Sequence, residues 1–190
     1  LLGSLPGEEI LDACAAPGGK STHIAELINN QGNVWSVDRS SRRMNKILAN
    51  SERLGTTCLQ LLVADSNELL SKYPEWEDYF HRILIDAPCS GLGTLSRHPD
   101  ARWRMNQDNI HELVVLQSQL LKSLASLLKS GGKLVYSTCT IHPDENSNQI
   151  KNFLKLKSNF SLEYEKQIWP GEEDNGDGFY VAVLNKAKKS

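Results

Sequence analysis

Short apolar runs alternate with stretches of helical spacing along most of this 190-residue chain. The apolar runs favour strands at Glu9–Cys14, Asn33–Val37, Leu59–Ala64, Ile83–Ile85, Lys133–Tyr136, Phe160–Tyr164 and Phe179–Leu184. Apolar residues three and four apart favour helices at Ser21–Ile28, Ser40–Leu54, Asn109–Leu128 and Asn146–Leu156, with a short helix before Pro74. Gly131 and Gly132 are expected to end the long third helix. Strands that alternate with helices predict an α/β fold with a parallel sheet.

The strand over Ile83–Ile85 indicates where chemistry is expected. Its apolar residues are typical of a strand that is buried on both faces of a parallel sheet. Pro88 lacks an N–H group, so the strand should stop near Asp86. Ligands of open α/β sheets bind just beyond the carboxyl ends of the strands. Seven side chains that could bind a ligand or take part in catalysis lie at that predicted edge: Asp12, Lys20, Asp38, Asp65, Asp86, Cys89 and Cys139.

A Gly-rich turn over residues 15–20 links the first strand to the first helix. Such a turn lets the backbone approach a ligand closely, and the helix N-terminus offers N–H groups to it. The turn has neither the GxGxxG nor the GxxxxGK[ST] pattern, which argues against a standard dinucleotide site. The alternative is a helix-capping turn that binds no ligand.

Two acidic positions extend the predicted pocket. Asp38 follows Gly18 by about 20 residues, the spacing at which an acid reaches the hydroxyls of a ribose. Its alternative role is to cap the next helix, although Ser40 could do that itself. Asp65 or Asn67 could hydrogen-bond an adenine amine, and capping of the following turn is the alternative for Asp65.

Charge and cysteine content narrow the class of protein. The formal net charge of −2 gives no overall basic surface for nucleic acid. The four cysteines form no CxxC pair and no zinc-ligand spacing, so we expect neither metal nor disulfides, and we expect Cys58 to be buried. No apolar run approaches the ~20 residues that span a bilayer. We therefore expect a cytoplasmic enzyme that does not bind membranes and is monomeric.

The segment Leu92–Arg104 contains cations around an aromatic residue: Arg97, His98, Arg102 and Arg104 flank Trp103. Such a combination suits contact with phosphates together with stacking on a base. The alternative is a solvated loop whose Trp103 packs in the core. A second loop, Pro170–Gly178, is acidic and rich in turn residues.

Two thiols at the exits of neighbouring strands, Cys89 and Cys139, are unusual. A cysteine is a nucleophile only as the thiolate, which nearby cations and helix N-termini favour. Lys20 could supply such a positive charge. The residues alone leave open which of the two thiols would be the nucleophile.

Four motifs, DACAAPGGK, VDRS, DAPCSG and STCTIHPDEN, occur in this order along the chain. In order and spacing they resemble the Sun/Nop2 family of RNA cytosine-C5 methyltransferases, and most closely its bacterial branch that modifies small-subunit ribosomal RNA. The resemblance extends to the closing DGFYVAVL. Thr140 and Asp144 replace the commoner Ser and Glu, changes that leave the chemistry intact. The family's RNA-binding segments precede the first motif, so residues 1–190 are expected to be a single catalytic domain that lacks them.

The resemblance implies a Rossmann-like class I fold, with a mostly parallel seven-stranded sheet and an antiparallel closing strand. It implies S-adenosylmethionine as cofactor, bound by Cys14, Ala15, Ala16, Pro17, Gly18, Gly19, Lys20, Asp38, Asp65 and Asp86. It assigns the nucleophile to Cys139 and product release to Cys89, with Asp86 and Lys20 also catalytic. The implied partner is RNA, foremost 16S rRNA, with tRNA as the alternative.

Three other functions compete with this interpretation. An N-methyltransferase would show Asn/Asp-Pro-Pro-aromatic where this chain has Asp86-Ala87-Pro88-Cys89. A nicotinamide oxidoreductase would show the missing GxGxxG. A non-catalytic RNA-binding or ribosome-assembly module could retain the pocket, although the intact acids and thiols argue against a decayed site.

Overall fold

The computed structural model describes residues 1–172 and 176–188, apart from the side chain of Arg104. Residues 173–175 of the predicted acidic loop and the Arg104 side chain therefore lie outside the described part. The strands are β1 (Glu8–Asp12), β2 (Gly32–Asp38), β3 (Leu59–Val63), β4 (Phe80–Asp86), β5 (Leu128–Thr138), β6 (Phe160–Ile168) and β7 (Phe179–Lys186). The helices are α1 (Gly19–Leu27), α2 (Ser41–Leu54), α3 (Leu69–Lys72), α4 (Ala101–Arg104), α5 (Gln107–Ala125) and α6 (Ser147–Leu156). Among the described residues, no helix combines the length and apolar character that a bilayer span requires.

The seven strands form one sheet in the order β3-β2-β1-β4-β5-β7-β6. The neighbours from β3 to β5 pair in parallel, whereas β7 runs antiparallel to both β5 and β6. This arrangement confirms the predicted mostly parallel sheet with an antiparallel closing strand. Strand order reverses between β1 and β4, and a crevice opens at the carboxyl ends of strands at such a reversal.

Both faces of the central strands are buried, as the apolar run in β4 predicts. Ile83 and Ile85 pack into the core on the face covered by α5, and Leu84 packs into the core on the face covered by α1. Successive strand residues point to opposite faces, so a continuous apolar run is what a doubly covered strand requires. Each such side chain contributes roughly 1.5–3 kcal/mol through burial. The rigid centre of the sheet thereby fixes the loops at its edge.

The start of β5 differs from the prediction. Helix α5 ends at Ala125, and β5 begins at Leu128 and runs through Gly131 and Gly132, which were expected to end the helix. Leu128 is fully buried and pairs with Phe80, and the register then shifts before the next pair. The predicted helix end at Leu128 is wrong, because the helical spacing of apolar residues continues into Leu128, the first residue of the strand. The glycines lie in the irregular part of the strand, where a Cβ at Gly132 would lie 2.9 Å from the carbonyl oxygen of His81.

Candidate functional site

A cavity of about 420 Å³ opens at the carboxyl edge of the sheet. Loops after five strands, β1 to β5, contribute to its wall. Seven of the predicted site residues line it: Cys14, Ala16, Asp38, Asp65, Asp86, Cys89 and Cys139. The sequence therefore placed the acids and thiols at the correct edge, and the structure brings them into one cavity.

Asp38 fixes the Gly-rich turn at one end of the cavity. Its carboxylate accepts hydrogen bonds from the backbone N–H of Ala16 at 3.2 Å and of Ser40 at 2.9 Å. Arg43 lies 3.6 Å from the same carboxylate. The side chain of Ser40, not Asp38, caps α2 by accepting from the N–H of Arg43. Asp38 is thus a buried acid at the cavity wall, and each of its oxygens keeps a lone pair for a further donor.

The loop after β3 contains a capping residue, Asp65, and a hydrogen-bond acceptor without a partner among the described residues, Asn67. Asp65 accepts from the N–H of Asn67 at 2.9 Å and caps the 3-10 turn Ser66–Glu68, so its alternative capping role is confirmed. Both residues line the cavity. The side-chain oxygen of Asn67 is buried and has no partner among the described residues. A buried acceptor of this kind costs free energy until a donor reaches it, so it suits a ligand amine.

The Gly-rich turn itself depends on Gly18. This residue has a left-handed backbone with φ of 103° and precedes α1. A Cβ here would lie 3.0 Å from the side chain of Ile47, so both conformation and space require glycine. The predicted residues Ala15, Pro17, Gly18 and Gly19 shape this turn but are not part of the wall of the cavity.

Lys20 reaches from α1 to the end of β4. Its ammonium group lies 2.5 Å from one carboxylate oxygen of Asp86 and 6.0 Å from the centre of the Phe179 ring. The other oxygen of Asp86 accepts from the hydroxyl of Ser137 at 2.9 Å. Lys20 and Asp86, which the sequence places at the same edge, are thus in contact, and two donors fix the orientation of the acid.

The two thiols are in contact, with 3.4 Å between the Sγ atoms of Cys89 and Cys139. This follows from the pairing of β4 with β5, where Asp86 lies opposite Ser137. Cys89 follows the end of β4 by three residues, and Cys139 is the first residue after β5.

The contact separates the acidities of the two thiols. A hydrogen bond from the Cys89 thiol lowers the pKa of Cys139 to about 7, while burial and the charge of Asp86 oppose this shift and Lys20 favours it. The same hydrogen bond, together with burial, raises the pKa of Cys89. Burial and nearby carboxylates raise the pKa of Cys14 to about 12. The contact therefore makes Cys139 the more acidic of the two thiols.

A second buried acid lies close by. Burial raises the pKa of Asp12 to about 6, although a hydrogen bond from the Ser21 hydroxyl at 2.7 Å opposes the shift. Its other oxygen has no partner among the described residues. Asp12 was predicted at the ligand-binding edge, but it does not line the cavity. It holds β1 against α1 through Ser21 instead.

Sequence reasoning missed the residues that support the two cysteine loops. Glu145 is fully buried and accepts from Ser90, and Ser90 contacts Thr140. Gln117 of α5 donates to both Glu145 and the carbonyl of Pro88. Glu145 lies in an acidic run that predicted only a helix start, and nothing in that run distinguishes a buried acid from an exposed one.

Gly93, in the loop after β4, and Gly178, directly before β7, pack against the backbone of Cys139. The N–H of Gly93 donates to the carbonyl of Cys139 at 3.0 Å, and the N–H of Gly178 donates to the carbonyl of Gly93 at 2.7 Å. A Cβ at Gly93 would lie 2.8 Å from the carbonyl oxygen of Cys139. These contacts fix the backbone that carries Cys139.

Trp103 does not pack in the core, which answers the alternative that the sequence left open. Its side chain is 86% exposed on α4. Arg102 is exposed next to it, and Arg97 pairs with Asp177. The segment therefore presents an aromatic face with cations on the surface.

A family model described as 16S rRNA methyltransferase RsmB/F matches residues 1–185. The chain belongs to the RsmB/F family.

Named relatives agree with this membership. The chain is 42% identical over 202 residues to the probable ribosomal RNA small subunit methyltransferase B of Synechocystis, covering 98% of this chain and 45% of that protein. It is 44% identical over 190 residues to ribosomal RNA small subunit methyltransferase B of Escherichia coli, covering 95% and 42% respectively. The chain thus spans less than half the length of these relatives.

A solved structure shares the fold. The NSun6 protein of Pyrococcus horikoshii, solved with SFG, superposes with a TM-score of 0.86 at 30% identity, covering 99% of this chain and 50% of that one. The expected Rossmann-like methyltransferase fold is therefore confirmed.

The RsmB/F family is one of S-adenosylmethionine-dependent methyltransferases, and the cavity fits that cofactor. A buried acid at the end of β2 suits a ribose, since Asp38 retains lone pairs. The unpartnered oxygen of Asn67 suits an adenine amine. The thiols and Asp86, which pairs with Lys20, lie along the same wall.

We expect iodoacetamide to alkylate Cys139 before the other three cysteines at pH 7.5. The thiolate is the reactive form, so the rate should rise with pH through about 7, the pKa of Cys139. Cys89→Ala removes the hydrogen bond that lowers this pKa and should slow the reaction at pH 7 by about tenfold. Peptide mapping by mass spectrometry measures both. Prior modification of Cys14 or Cys58 would contradict the assigned acidities.

Proposed function

We propose that this chain forms the catalytic part of an RNA cytosine-C5 methyltransferase that uses S-adenosylmethionine and acts on 16S rRNA. The observation that carries the proposal is the contact between Cys89 and Cys139 beside the Lys20–Asp86 pair, at the wall of the cofactor cavity. Relatives named ribosomal RNA small subunit methyltransferase B support the substrate class.

The cofactor is held by the loops after β1, β2 and β3. Asp38 accepts from the ribose hydroxyls, and Asn67 accepts from the adenine amine. The turn that Gly18 permits lets the backbone approach the ligand closely. S-adenosylmethionine supplies an electrophilic methyl group on sulfur.

Cytosine C5 is too weak a nucleophile to take that methyl group unaided. The Cys139 thiolate therefore adds to C6 of the base, and the electron pair of the C5–C6 double bond becomes available at C5. Negative charge that develops at N3 is met by the Lys20 ammonium, which holds the proton that N3 takes up. Asp86 accepts from the exocyclic amine and keeps the ring oriented. Such preorganised charges stabilise the adduct strongly in a site that excludes water.

C5 would then take the methyl group, forming a carbon–carbon bond as the bond between that methyl group and the cofactor sulfur breaks. Release of the product requires loss of the C5 proton. Once Cys139 is bonded to carbon, it no longer accepts the hydrogen bond that raised the pKa of Cys89. Cys89 can then ionise to solvent and accept the C5 proton. The C–H electron pair restores the C5–C6 double bond and expels Cys139 as thiolate, and N3 returns its proton to Lys20, which balances the reaction.

The target base must leave its stack to reach the thiols, and this costs least where the RNA is single-stranded or looped. The exposed face of Trp103, flanked by Arg102, suits stacking on a base next to the target. Local cations of this kind compensate for the weak net charge of −2 over the whole chain.

Cys139→Ser should abolish methylation, because a hydroxyl does not provide the nucleophile. Cys89→Ala should instead leave the RNA bound covalently to the protein, since removal of the C5 proton is blocked. Bisulfite sequencing of 16S rRNA and tRNA, from cells that carry each variant as the sole copy, measures the first effect. A denaturing gel measures the second.

Cys58→Ser is the matched control, because Cys58 is a buried thiol that does not line the cavity. It should methylate normally. If Cys139→Ser still forms the adduct, the roles of the two thiols are reversed. Loss of the mark from tRNA instead of 16S rRNA would reassign the substrate.

Trp103→Ala should weaken RNA binding while leaving the affinity for S-adenosylmethionine unchanged. Loss of one base–aromatic stack costs ~1–3 kcal/mol, or a roughly 5- to 160-fold lower RNA affinity. Filter binding and calorimetry measure the two affinities. Trp169→Ala is the control, since Trp169 is also exposed, at 48%, but lies outside the basic segment. Equal losses for both variants would contradict a specific role for Trp103.

A further inference from the structure

Glu145 is an acid with no exposed surface, and its carboxylate is bound by three neutral donors. One oxygen accepts from the hydroxyl of Ser90 at 2.5 Å. The other accepts from the N–H of Ser90 at 2.9 Å and from the side chain of Gln117 at 3.0 Å. An ionised carboxylate is costly to bury, so such a residue needs either full hydrogen bonding or a function.

The partners of Glu145 are the neighbours of the two thiols. Ser90 follows Cys89, and Gln117 also donates to the carbonyl of Pro88 at 2.9 Å, on the other side of that cysteine. The hydroxyl of Ser90 lies 2.8 Å from that of Thr140, which follows Cys139. The acid therefore joins the loop after β4 to the loop after β5 at the residues adjacent to the reactive sulfurs.

Glu145 is itself held rigidly. Its carbonyl oxygen accepts from the hydroxyl of Tyr136, a fully buried residue of β5, at 2.7 Å. The side chain of the next residue, Asn146, contacts Thr138 at 2.6 Å and the carbonyl of Thr140 at 2.9 Å. The acid is thus anchored to the strand that leads into Cys139 and reaches across to the other loop.

We propose that Glu145 is a positioning residue that holds the Cys89 loop against the Cys139 loop and thereby sets the separation of the two sulfurs. The proposal rests on the proposed function in that Cys139 is taken as the nucleophile. Glu145 touches neither sulfur and acts through Ser90, Gln117 and Thr140. A hydrogen bond between thiols weakens steeply with distance, so a small shift of either loop removes it. The reactivity of Cys139 therefore depends on an acid outside the cavity.

Glu145→Gln tests the proposal with little change in size. The amide places a donor where the carboxylate accepted, so one of its three donors loses its acceptor and the Ser90 loop must move. The midpoint of Cys139 alkylation should shift to higher pH, with the rate at pH 7 about tenfold lower. The methylation kcat should fall by a similar factor. The affinity for S-adenosylmethionine should stay within about twofold, since Asp38 and Asn67 are untouched. Cys89, Asp86 and Lys20 are the titratable groups that face Cys139, and the substitution keeps all three side chains.

Gln149→Leu is the control for a purely structural effect. Gln149 is buried on α6, and its side chain donates to the carbonyl of Val114 of α5 at 2.6 Å rather than to Glu145, Ser90 or Thr140. It should lower the thermal unfolding temperature but leave the alkylation profile of Cys139 unchanged. Ser90→Ala is a second variant of the network, which keeps the acid and removes the hydroxyl that bridges to Thr140.

The expected result is a shifted alkylation midpoint in both Glu145→Gln and Ser90→Ala, with Gln149→Leu like the native chain. A native midpoint in both network variants overturns the proposal, as does an equal shift in the control. If Glu145→Gln does not fold, Ser90→Ala decides alone by the same criterion. Alkylation needs no RNA, so a methylating Cys139→Ser protein refutes the proposed function without touching this result.

Discussion

The parallel pairing of β4 with β5 is the constraint on which the rest of the site depends. It places Asp86 opposite Ser137, so the loops that leave both strands start side by side at the same edge. Cys89 and Cys139 come into contact because each lies within three residues of its strand end. Burial of both faces of these strands keeps the edge rigid, and the adjacent crevice between β1 and β4 receives the ligand.

The surroundings of the cysteines in the cavity wall give their thiols different pKa values. Cys14 and Cys139 both line the cavity, yet burial and carboxylates raise the pKa of Cys14 to about 12, while its thiol neighbour lowers that of Cys139 to about 7. Lys20 provides a positive charge where Asp86 would otherwise oppose the thiolate. Of the three thiols in the cavity wall, Cys139 is therefore the one prepared for nucleophilic attack, chiefly through its contact with Cys89 and with a smaller contribution from Lys20.

Much of the sheet could be predicted because its strands are short apolar runs that stop at polar residues, as β4 does at Asp86. The edge that carries the acids followed from the rule for parallel strands. The start of β5 could not be predicted, since Leu128 continues the helical spacing of α5. The role of Glu145 was also beyond the sequence, because its burial arises from the packing of three distant segments. Trp103 left two possibilities open, and only its exposed position in the fold separated them.

The assignment of Cys139 as the sulfur that bonds to the base is the central claim. The most direct measurement is to incubate the protein and S-adenosylmethionine with an RNA in which the target carries 5-fluorocytidine, and to map the bonded peptide by mass spectrometry. Fluorine at C5 cannot leave as a proton does, so the adduct should persist. We expect a methylated base attached to Cys139. A base attached to Cys89, or methylated RNA with no attached protein, would contradict it.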